Sequence, residues 1–265
     1  MLFRSKSKEM DRLMDSAPPE KIARVAKQLG CRSVAFTYND PVIFAEYAID
    51  IAKACQEIDI KTVAVTAGYI NPEARKDFYS VMDAANVDLK AFTETFYKKL
   101  CFAEIKPVLE TLKYLKEETS VWFEVTTLLI PDANDSNEEI EKLSQWMMTE
   151  LGPDVPLHFS AFHPDFKMRD RGPTSPQTLR RARKIAMDNG LRYVYTGNIH
   201  DSHGGSTYCP ECGKCVLERD WYELGSYAIQ NGQCGHCNTE IPGVFTDKPG
   251  SWGRNRVGVA MNRFE

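Results

Sequence analysis

The chain has 265 residues, of which 43% are hydrophobic, and its formal net charge is −4 at pH 7. This length suits one large α/β domain, or one domain with a small module, and the apolar share is sufficient for a core. The acidic balance argues against a protein whose whole surface binds nucleic acid, and no apolar run approaches the length of a membrane span. Because residues 1–8 lack the apolar core of a signal peptide, we predict a cytoplasmic location.

A helix is predicted first along the chain. Pro18 and Pro19 suit the first turn of a helix, and Gly30 is a natural stop. Between them, apolar residues recur at the spacing of one helical face, namely at Ile22, Val25, Ala26 and Leu29.

Six short apolar runs follow, and each gap between them can hold one helix. The runs are Ser33–Phe36, Thr62–Val65, Asn86–Leu89, Val121–Val125, Leu157–Phe159 and Tyr193–Tyr195. Strands that alternate with helices form right-handed βαβ units around a parallel sheet. Since a complete eightfold barrel needs about 250 residues for itself, we predict an open or partial (β/α) barrel over residues 1–204.

Two of the helices between these runs have clear start signals. Asp135 precedes Glu138 by three residues, which is the spacing of a capping box. An apolar stripe follows at Ile140, Leu143, Met147 and Leu151. In the next gap, Ser175 and Pro176 are predicted to be the N-cap and the first helical residue, and Gly190 the stop.

Polar residues follow the strands at the edge where parallel strands converge. The first strand leads into Asn39 and Asp40, and the second into Thr66 and Gly68. Pro41 pushes Asp40 into an extended conformation, so the strand ends there and a helix begins. Asp40 is therefore either a residue of a functional site at the mouth of the fold or only the cap of the next helix.

The third and fifth strands add charged and aromatic candidates. Asp88 and Lys90 are two residues apart, so on a strand they point to the same face and suit a zwitterionic ligand such as an amino acid. They could equally be a compensated ion pair. His163 lies between Phe162 and Pro164, where it is either a loop histidine or a residue that contacts a base.

After residue 204 the alternation stops, and we predict a small cysteine-rich module over residues 205–265. Two C-x2-C pairs, at Cys209/Cys212 and Cys234/Cys237, are separated by 21 residues. Four thiolates in two tight turns suit a tetrahedral Zn²⁺ with a structural role. Cys215 extends the first pair to a spacing that also occurs in iron–sulfur ligand runs, and His236, His200 and His203 are further candidate ligands.

The strand-end segments together resemble those of a known family. The segments are Arg32–Pro41, Thr62–Tyr69, Asn86–Phe92, Val125–Pro131, His158–Pro164 and Tyr193–Asn198, followed by the cysteine pairs. In order and spacing they are similar to the radical SAM enzymes of the AmmeMemoRadiSam system, which are relatives of the pyruvate formate-lyase activating enzyme. The resemblance implies a partial (β/α)6 barrel in which a [4Fe–4S] cluster reductively cleaves S-adenosylmethionine to a 5′-deoxyadenosyl radical.

The resemblance also implies roles for the strand-end residues. Asn39–Pro41 matches the segment that holds the methionine ammonium, with Asp40 as its acceptor. Thr66 and Gly68 fall in the second strand-end motif. Lys90, in the Asp88-Leu-Lys90 segment, matches a position near the methionine carboxylate, and His163 a position near the adenosine.

One departure from the family is clear. The family binds its cluster through Cys-x3-Cys-x2-Cys, shortly before the segment matched here by Ser5–Arg12, and no such motif occurs in the 265 residues. We therefore expect a chain that lacks the family's first strand and its cluster segment, and that is inactive in this form.

Two other functions fit the same residues. One is a non-catalytic barrel that binds a nucleoside or an amino-acid-like ligand, and the other is a zinc-ribbon module that binds a protein. The resemblance names companion proteins of the AmmeMemoRadiSam system as partners. The substrate, a glycyl site of a protein or a small molecule, is left open.

Overall fold

The computed structural model describes residues 16–246, 248–250 and 257–264, and six strands form one sheet in chain order. The strands are β1 (Ser33–Phe36), β2 (Lys61–Thr66), β3 (Ala84–Asp88), β4 (Trp122–Leu129), β5 (Leu157–Ala161) and β6 (Val194–Gly197). The neighbours β1/β2, β2/β3, β4/β5 and β5/β6 are parallel. The predicted α/β class with a parallel sheet is confirmed. The segment Ser5–Arg12 lies outside the described residues.

Eight α-helices connect the strands in the described part of the chain. They are α1 (Pro19–Gln28), α2 (Ala45–Gln56), α3 (Pro72–Tyr79), α4 (Glu94–Phe96), α5 (Lys106–Glu118), α6 (Asn137–Glu150), α7 (Pro176–Asp188) and α8 (Ser202–Gly205). A 3-10 helix, Pro41–Phe44, precedes α2, and a π-helical turn, Tyr97–Cys101, follows α4. None of these helices combines the length and the apolar character that a bilayer crossing requires.

The chain divides into two compact units. The first contains the described residues up to 89, with 97–123 and 257–264. The second contains residues 90–96 and the described residues between 124 and 256. The second unit thus includes β5, β6 and the cysteine-rich tail.

The first unit confirms the predicted α1 helix with one correction. Val25 and Ala26 are buried as expected, but Leu29 is 48% exposed. Leu29 is the C-cap of α1 and does not continue its apolar face. The chain turns at Gly30, and the Cys31 N–H donates a hydrogen bond to the Ala26 carbonyl at 2.9 Å. The strand predicted at Asn86–Leu89 is also shifted, since β3 ends at Asp88.

In the second unit, one of the two predicted helix caps is wrong by one residue. Ser136 caps α6 and accepts a hydrogen bond from the Glu139 N–H at 3.2 Å. Asp135 instead accepts from the Asp132 N–H at 2.9 Å, so its carboxylate is engaged in the preceding turn. Ser175 caps α7 as predicted, with the Thr178 N–H at 3.1 Å. All four residues of the predicted α6 stripe are buried.

The tail consists of short antiparallel strands. They are β7 (Thr207–Tyr208), β8 (Cys215–Asp220), β9 (Glu223–Tyr227), β10 (Ile229–Gln230) and β11 (Gln233–Cys234). Their apolar side chains, including Val216 and Ile229, share one buried cluster with Tyr193 and Tyr195 at β6. The tail therefore uses side chains of β6 to complete its core, and the boundary predicted at 204/205 stays a prediction.

Gly68, just after β2, gives a test of backbone and packing constraints. Its φ is +66°, and an added Cβ would lie 2.8 Å from Val87 Cγ1. We expect Gly68→Ala to lower the free energy of unfolding by about 3 kcal/mol, because a left-handed conformation and overpacking each cost about 1–2 kcal/mol or more. Urea unfolding followed by circular dichroism would measure this.

Gly30→Ala is the matched control, because Gly30 has a φ of +68° but open space around it. It carries only the conformational cost, about 1 kcal/mol. Equal destabilisation by the two substitutions would contradict the close packing at Gly68.

Candidate functional site

Asp40 lies where β1 ends and the Pro41–Phe44 helix begins. Its backbone is extended, at φ −61° and ψ 123°, as the following proline requires. Its Oδ1 atom accepts a hydrogen bond from the Val42 N–H at 3.1 Å. The helix cap that the sequence left open as an alternative is therefore present.

The same carboxylate also binds the end of the neighbouring strand. Oδ1 accepts from the Thr66 hydroxyl at 2.8 Å, and Oδ2 accepts from the Ala67 N–H at 2.8 Å. The Thr66 hydroxyl in turn accepts from the Gly68 N–H at 3.1 Å. The structure thus brings together three of the predicted site residues, Asp40, Thr66 and Gly68, in one hydrogen-bonded group.

This group can still accept a ligand donor. Each carboxylate oxygen has about two acceptor positions, and Oδ2 has a single protein donor among the described residues. Asp40 is half-buried, so that oxygen is held in position without being sealed from solvent. A carboxylate fixed in this way is suited to bind an ammonium group.

Buried polar groups lie near this carboxylate. Burial raises the pKa of the Tyr79 hydroxyl, the charge of Asp40 raises it further, and Arg75 lowers it. Arg75 is 6% exposed, and its Nη1 donates to the Glu110 carbonyl at 3.1 Å. Its Nε and the Tyr79 hydroxyl have no hydrogen-bond partner among the described residues. The charges of Asp40 and Arg75 thus act on the Tyr79 hydroxyl in opposite directions, and Arg75 Nη2 lies 4.0 Å from Glu110 Oε2.

The other predicted site residues occupy separate positions. Asn39 is exposed in the loop after β1. Asp88 ends β3, and Lys90 lies two residues past the strand rather than on it, although both are half-buried around a buried Leu89. His163 is exposed, and its ring has no hydrogen-bond partner in the described ranges. The cofactor roles of these four residues stay predictions.

The four paired cysteines of the tail form a second candidate site. The sulfur atoms of Cys209, Cys212, Cys234 and Cys237 all lie within 4.8 Å of one another. The Sγ–Sγ distance is 3.5 Å for Cys209/Cys237 and 3.8 Å for Cys212/Cys234. A tetrahedral zinc with bonds of ~2.3 Å requires about 3.8 Å between its sulfur ligands. The predicted set of four cysteines is thus assembled at the spacing of one metal ion.

The two cysteine pairs are held by equivalent turns. The Gly213 N–H donates to the Cys209 carbonyl at 2.9 Å, and the Asn238 N–H donates to the Cys234 carbonyl at 2.8 Å. Gly213 and Asn238 both have a positive φ, at 69° and 62°. Glycine and asparagine tolerate this conformation best, which explains why they follow the cysteine pairs.

The thiol environment favours a bound cation. Hydrogen bonds from Thr239, first from its side chain, lower the pKa of Cys237 to about 6. The Lys214 N–H lowers the pKa of Cys212, but burial and the neighbouring thiols raise it, to about 11. The group therefore accommodates some negative charge alone, and further thiolates require a metal to balance their repulsion.

The alternative ligands are not part of this group. Cys215 begins β8 and lies outside the set of four. His200 contacts the Asp220 carboxylate at 3.3 Å, and the His203 ring packs against Tyr208 in a tilted arrangement, with 5.3 Å between centroids. His236 is also outside the set, although its N–H donates to the Cys234 sulfur at 3.4 Å.

The described residues do not fit a [4Fe–4S] cluster. Cys31 is exposed, Cys55 is buried and Cys101 is half-buried, and they form no group of three with other metal-ligating side chains. In a four-iron cluster each sulfur ligand binds a different iron, so the ligands lie farther apart than around one ion. The tail cysteines therefore suit a single ion.

One glutamate–histidine pair inside the sheet was not predicted from the sequence. Glu124 on β4 and His158 on β5 lie on the half-buried faces of their strands, with His158 Nε2 2.5 Å from Glu124 Oε2. Strands of a parallel sheet are normally apolar on both faces. Charged residues within these two apolar runs were the signal that could have identified the pair.

The metal site can be tested by its content. We expect about one zinc per chain by elemental analysis, released by chelators and by acid as the thiolates are protonated. Cys209→Ser should lose most of the bound metal and disorder the tail, because a ligand and its turn are both lost. Cys215→Ser is the matched control and should keep the metal. Equal loss in both variants, or iron in place of zinc, would contradict a four-cysteine zinc site.

Comparison with known proteins identifies the family of this chain. The family description "Radical SAM superfamily" matches residues 3–147. An uncharacterized protein of Methanocaldococcus jannaschii is 38% identical over 225 residues, which are 84% of this chain and 66% of that protein. A 4-hydroxyphenylacetate decarboxylase activating enzyme of Clostridioides difficile is 22% identical over 179 residues, which are 63% of this chain and 55% of that enzyme. The chain thus spans between half and two thirds of the length of these relatives.

Solved structures agree on the fold. A domain of the pyruvate-formate lyase-activating enzyme from Bacteroides vulgatus has a TM-score of 0.54 at 18% identity, over 63% of this chain and 99% of that domain. Streptococcus suis SuiB bound to S-adenosylmethionine has a TM-score of 0.53 at 17% identity, over 69% of this chain and 42% of SuiB. The family match covers more than half of the chain and includes both Asp40 and Thr66. The chain therefore belongs to the radical SAM superfamily.

Proposed function

We propose that this chain is the S-adenosylmethionine-binding part of a radical SAM enzyme of the activating-enzyme type. The observation that carries the proposal is the fixed carboxylate of Asp40, held by Thr66 and Ala67 at adjoining strand ends within the family match. Its Oδ2 atom retains capacity for one more donor. The methionine ammonium supplies such a donor.

The residues of this group would act before any chemistry, by binding and orientation. The hydrogen bonds from Thr66 and Ala67 hold the Asp40 side chain in one rotamer. The entropy cost of ordering this side chain is therefore incurred on folding and not when the cofactor binds. A charge-assisted hydrogen bond from the ammonium would then fix the methionine end of the cofactor. The assignments of Lys90 to the methionine carboxylate and of His163 to the adenosine rest on the resemblance alone.

A [4Fe–4S] cluster supplies the electron for cleavage of S-adenosylmethionine in this family. The described residues offer it no ligand set, and the sequence contains no Cys-x3-Cys-x2-Cys. We therefore assign binding and orientation to these residues and propose that the chain alone does not generate the 5′-deoxyadenosyl radical.

We also propose that the chain belongs to the AmmeMemoRadiSam subgroup, because its strand-end segments resemble those of that subgroup in order and spacing. Its partners would then be the companion proteins of that system, and its substrate a glycyl site of a protein or a small molecule. The proposed location is the cytoplasm. The four sulfurs of the tail favour a zinc module that supports the enzyme structurally.

Binding of two nucleosides tests the role of Asp40. S-Adenosylhomocysteine carries the amino-acid ammonium, whereas 5′-methylthioadenosine lacks it, and neither carries the sulfonium charge. We expect calorimetry to show at least about 10-fold tighter binding of the first ligand to the wild-type chain. Asp40→Asn should bring the two affinities within about 2-fold of each other, because the amide cannot pair with the ammonium as a charge.

Asp77→Asn is the matched control, because Asp77 is an exposed carboxylate on α3 in the same unit. It should leave the preference for S-adenosylhomocysteine unchanged. A preference that persists in folded Asp40→Asn, or the absence of any preference in the wild type, would overturn the proposed role.

A further inference from the structure

The hairpin of β8 and β9 forms a cavity with the ends of β5 and β6, within the second unit. Its volume is about 200 Å³. This is smaller than the ~300 Å³ at which sites for drug-sized ligands begin, so it suits a small molecule. The residues that line the cavity include His158, Tyr195, Asn198, Arg219, Trp221 and Tyr222.

Arg219 brings a positive charge to this cavity without a hydrogen-bonded carboxylate among the described residues. The residue is half-buried, and its guanidinium carbon lies 5.9 Å from the centre of the Tyr195 ring. No hydrogen bond or ion pair to the guanidinium occurs within the described part of the chain. A guanidinium that lies beside an aromatic ring and makes no hydrogen bond to the protein keeps its donors for an anionic ligand.

The nearby carboxylates are engaged with other groups. Asp201 accepts from Arg180 at 3.3 Å and from the Thr196 hydroxyl at 3.1 Å. Asp220 contacts His200 at 3.3 Å, and Glu124 contacts His158 at 2.5 Å. Each of these carboxylates thus has a hydrogen-bond partner other than Arg219, and no described side chain accepts a hydrogen bond from the Arg219 guanidinium.

His158 adds a polar atom with a defined orientation. Its ring stacks on Tyr195, with 5.0 Å between centroids and 27° between the planes. Because Nε2 is directed at Glu124, Nδ1 is the ring atom left for a ligand. The Tyr195 hydroxyl, 2.9 Å from the Thr207 hydroxyl, holds the stack in place.

Two aromatic side chains at the hairpin turn complete the cavity. Trp221 is 44% exposed and Tyr222 is 52% exposed, although both line the cavity. Trp221 has a φ of +57° in a two-residue turn, where glycine, asparagine or aspartate is usual. The His200 ring, 5.3 Å from Trp221, supports the indole from outside the turn.

We propose that this cavity binds a small aromatic or planar molecule that carries a carboxylate or a phosphate group. Arg219 pairs with the anionic group, His158 Nδ1 hydrogen-bonds a polar substituent, and Trp221 and Tyr222 pack against the ring. The site needs neither S-adenosylmethionine nor a cluster. It also gives the tail a role besides metal binding, since Arg219 and Trp221 both come from the tail hairpin.

Calorimetry with ring compounds that differ in charge tests this proposal on the zinc-loaded chain. The probes are phenyl phosphate, 4-hydroxybenzoate and the neutral benzyl alcohol. We expect at least one of the two anions to bind about 10-fold or more tightly than benzyl alcohol, and the stronger anion identifies phosphate or carboxylate as the preferred group. Arg219→Gln should remove that preference, because the charge is lost while the shape is largely kept.

Two further variants test the specificity of the charge effect and the contribution of the aromatic ring. Arg169→Gln removes an exposed arginine of the same unit and should bind the anions as the wild type does. Trp221→Leu should weaken the binding of phenyl phosphate several-fold and leave the binding of inorganic phosphate, which has no ring, unchanged. Because Trp221 is 44% exposed, we expect this variant to fold. Equal binding of benzyl alcohol and both anions to the wild type, or full anion affinity in Arg219→Gln, would overturn the proposal.

Discussion

The hydrogen bonds of the Asp40 carboxylate are the interaction on which the candidate cofactor site depends. This side chain caps the helix after β1 by accepting from the Val42 N–H. It also accepts hydrogen bonds from Thr66 and Ala67 at the end of β2. A charged acceptor with three donors is far more restricted than a surface carboxylate. The cap and the candidate binding role are therefore compatible, because the contacts that hold the side chain leave Oδ2 with acceptor capacity.

The tail depends on a different constraint. The turns at Gly213 and Asn238 place four sulfurs at the spacing of one ion, and a bound cation would balance the charge of four thiolates. The apolar cluster shared with Tyr193 and Tyr195 connects the cysteine-rich tail to β6. Because the tail hairpin is anchored at both places, its exposed aromatic turn can be held over a cavity instead of moving freely in solvent.

Local signals in the sequence predicted much of the fold and part of the site. Proline and glycine marked the ends of α1, and the four cysteines were found from spacing alone, since each C-x2-C pair is a local sequence pattern. The cap of α6 was misplaced because Asp135 and Ser136 are both good caps, and the carboxylate of Asp135 is engaged by the Asp132 N–H in the preceding turn. Arg219 and Trp221 could not be found, because the hairpin meets β5 and β6 only through long-range packing.

A crystal structure of the chain with S-adenosylmethionine bound tests the central claim most directly. We expect the methionine nitrogen to lie about 2.8 Å from Oδ2 of Asp40, while Thr66 and Ala67 keep their hydrogen bonds to the same carboxylate. A cofactor bound with its ammonium on another group, and Asp40 contacting only its three protein donors, would contradict the account and leave Asp40 with a purely structural role.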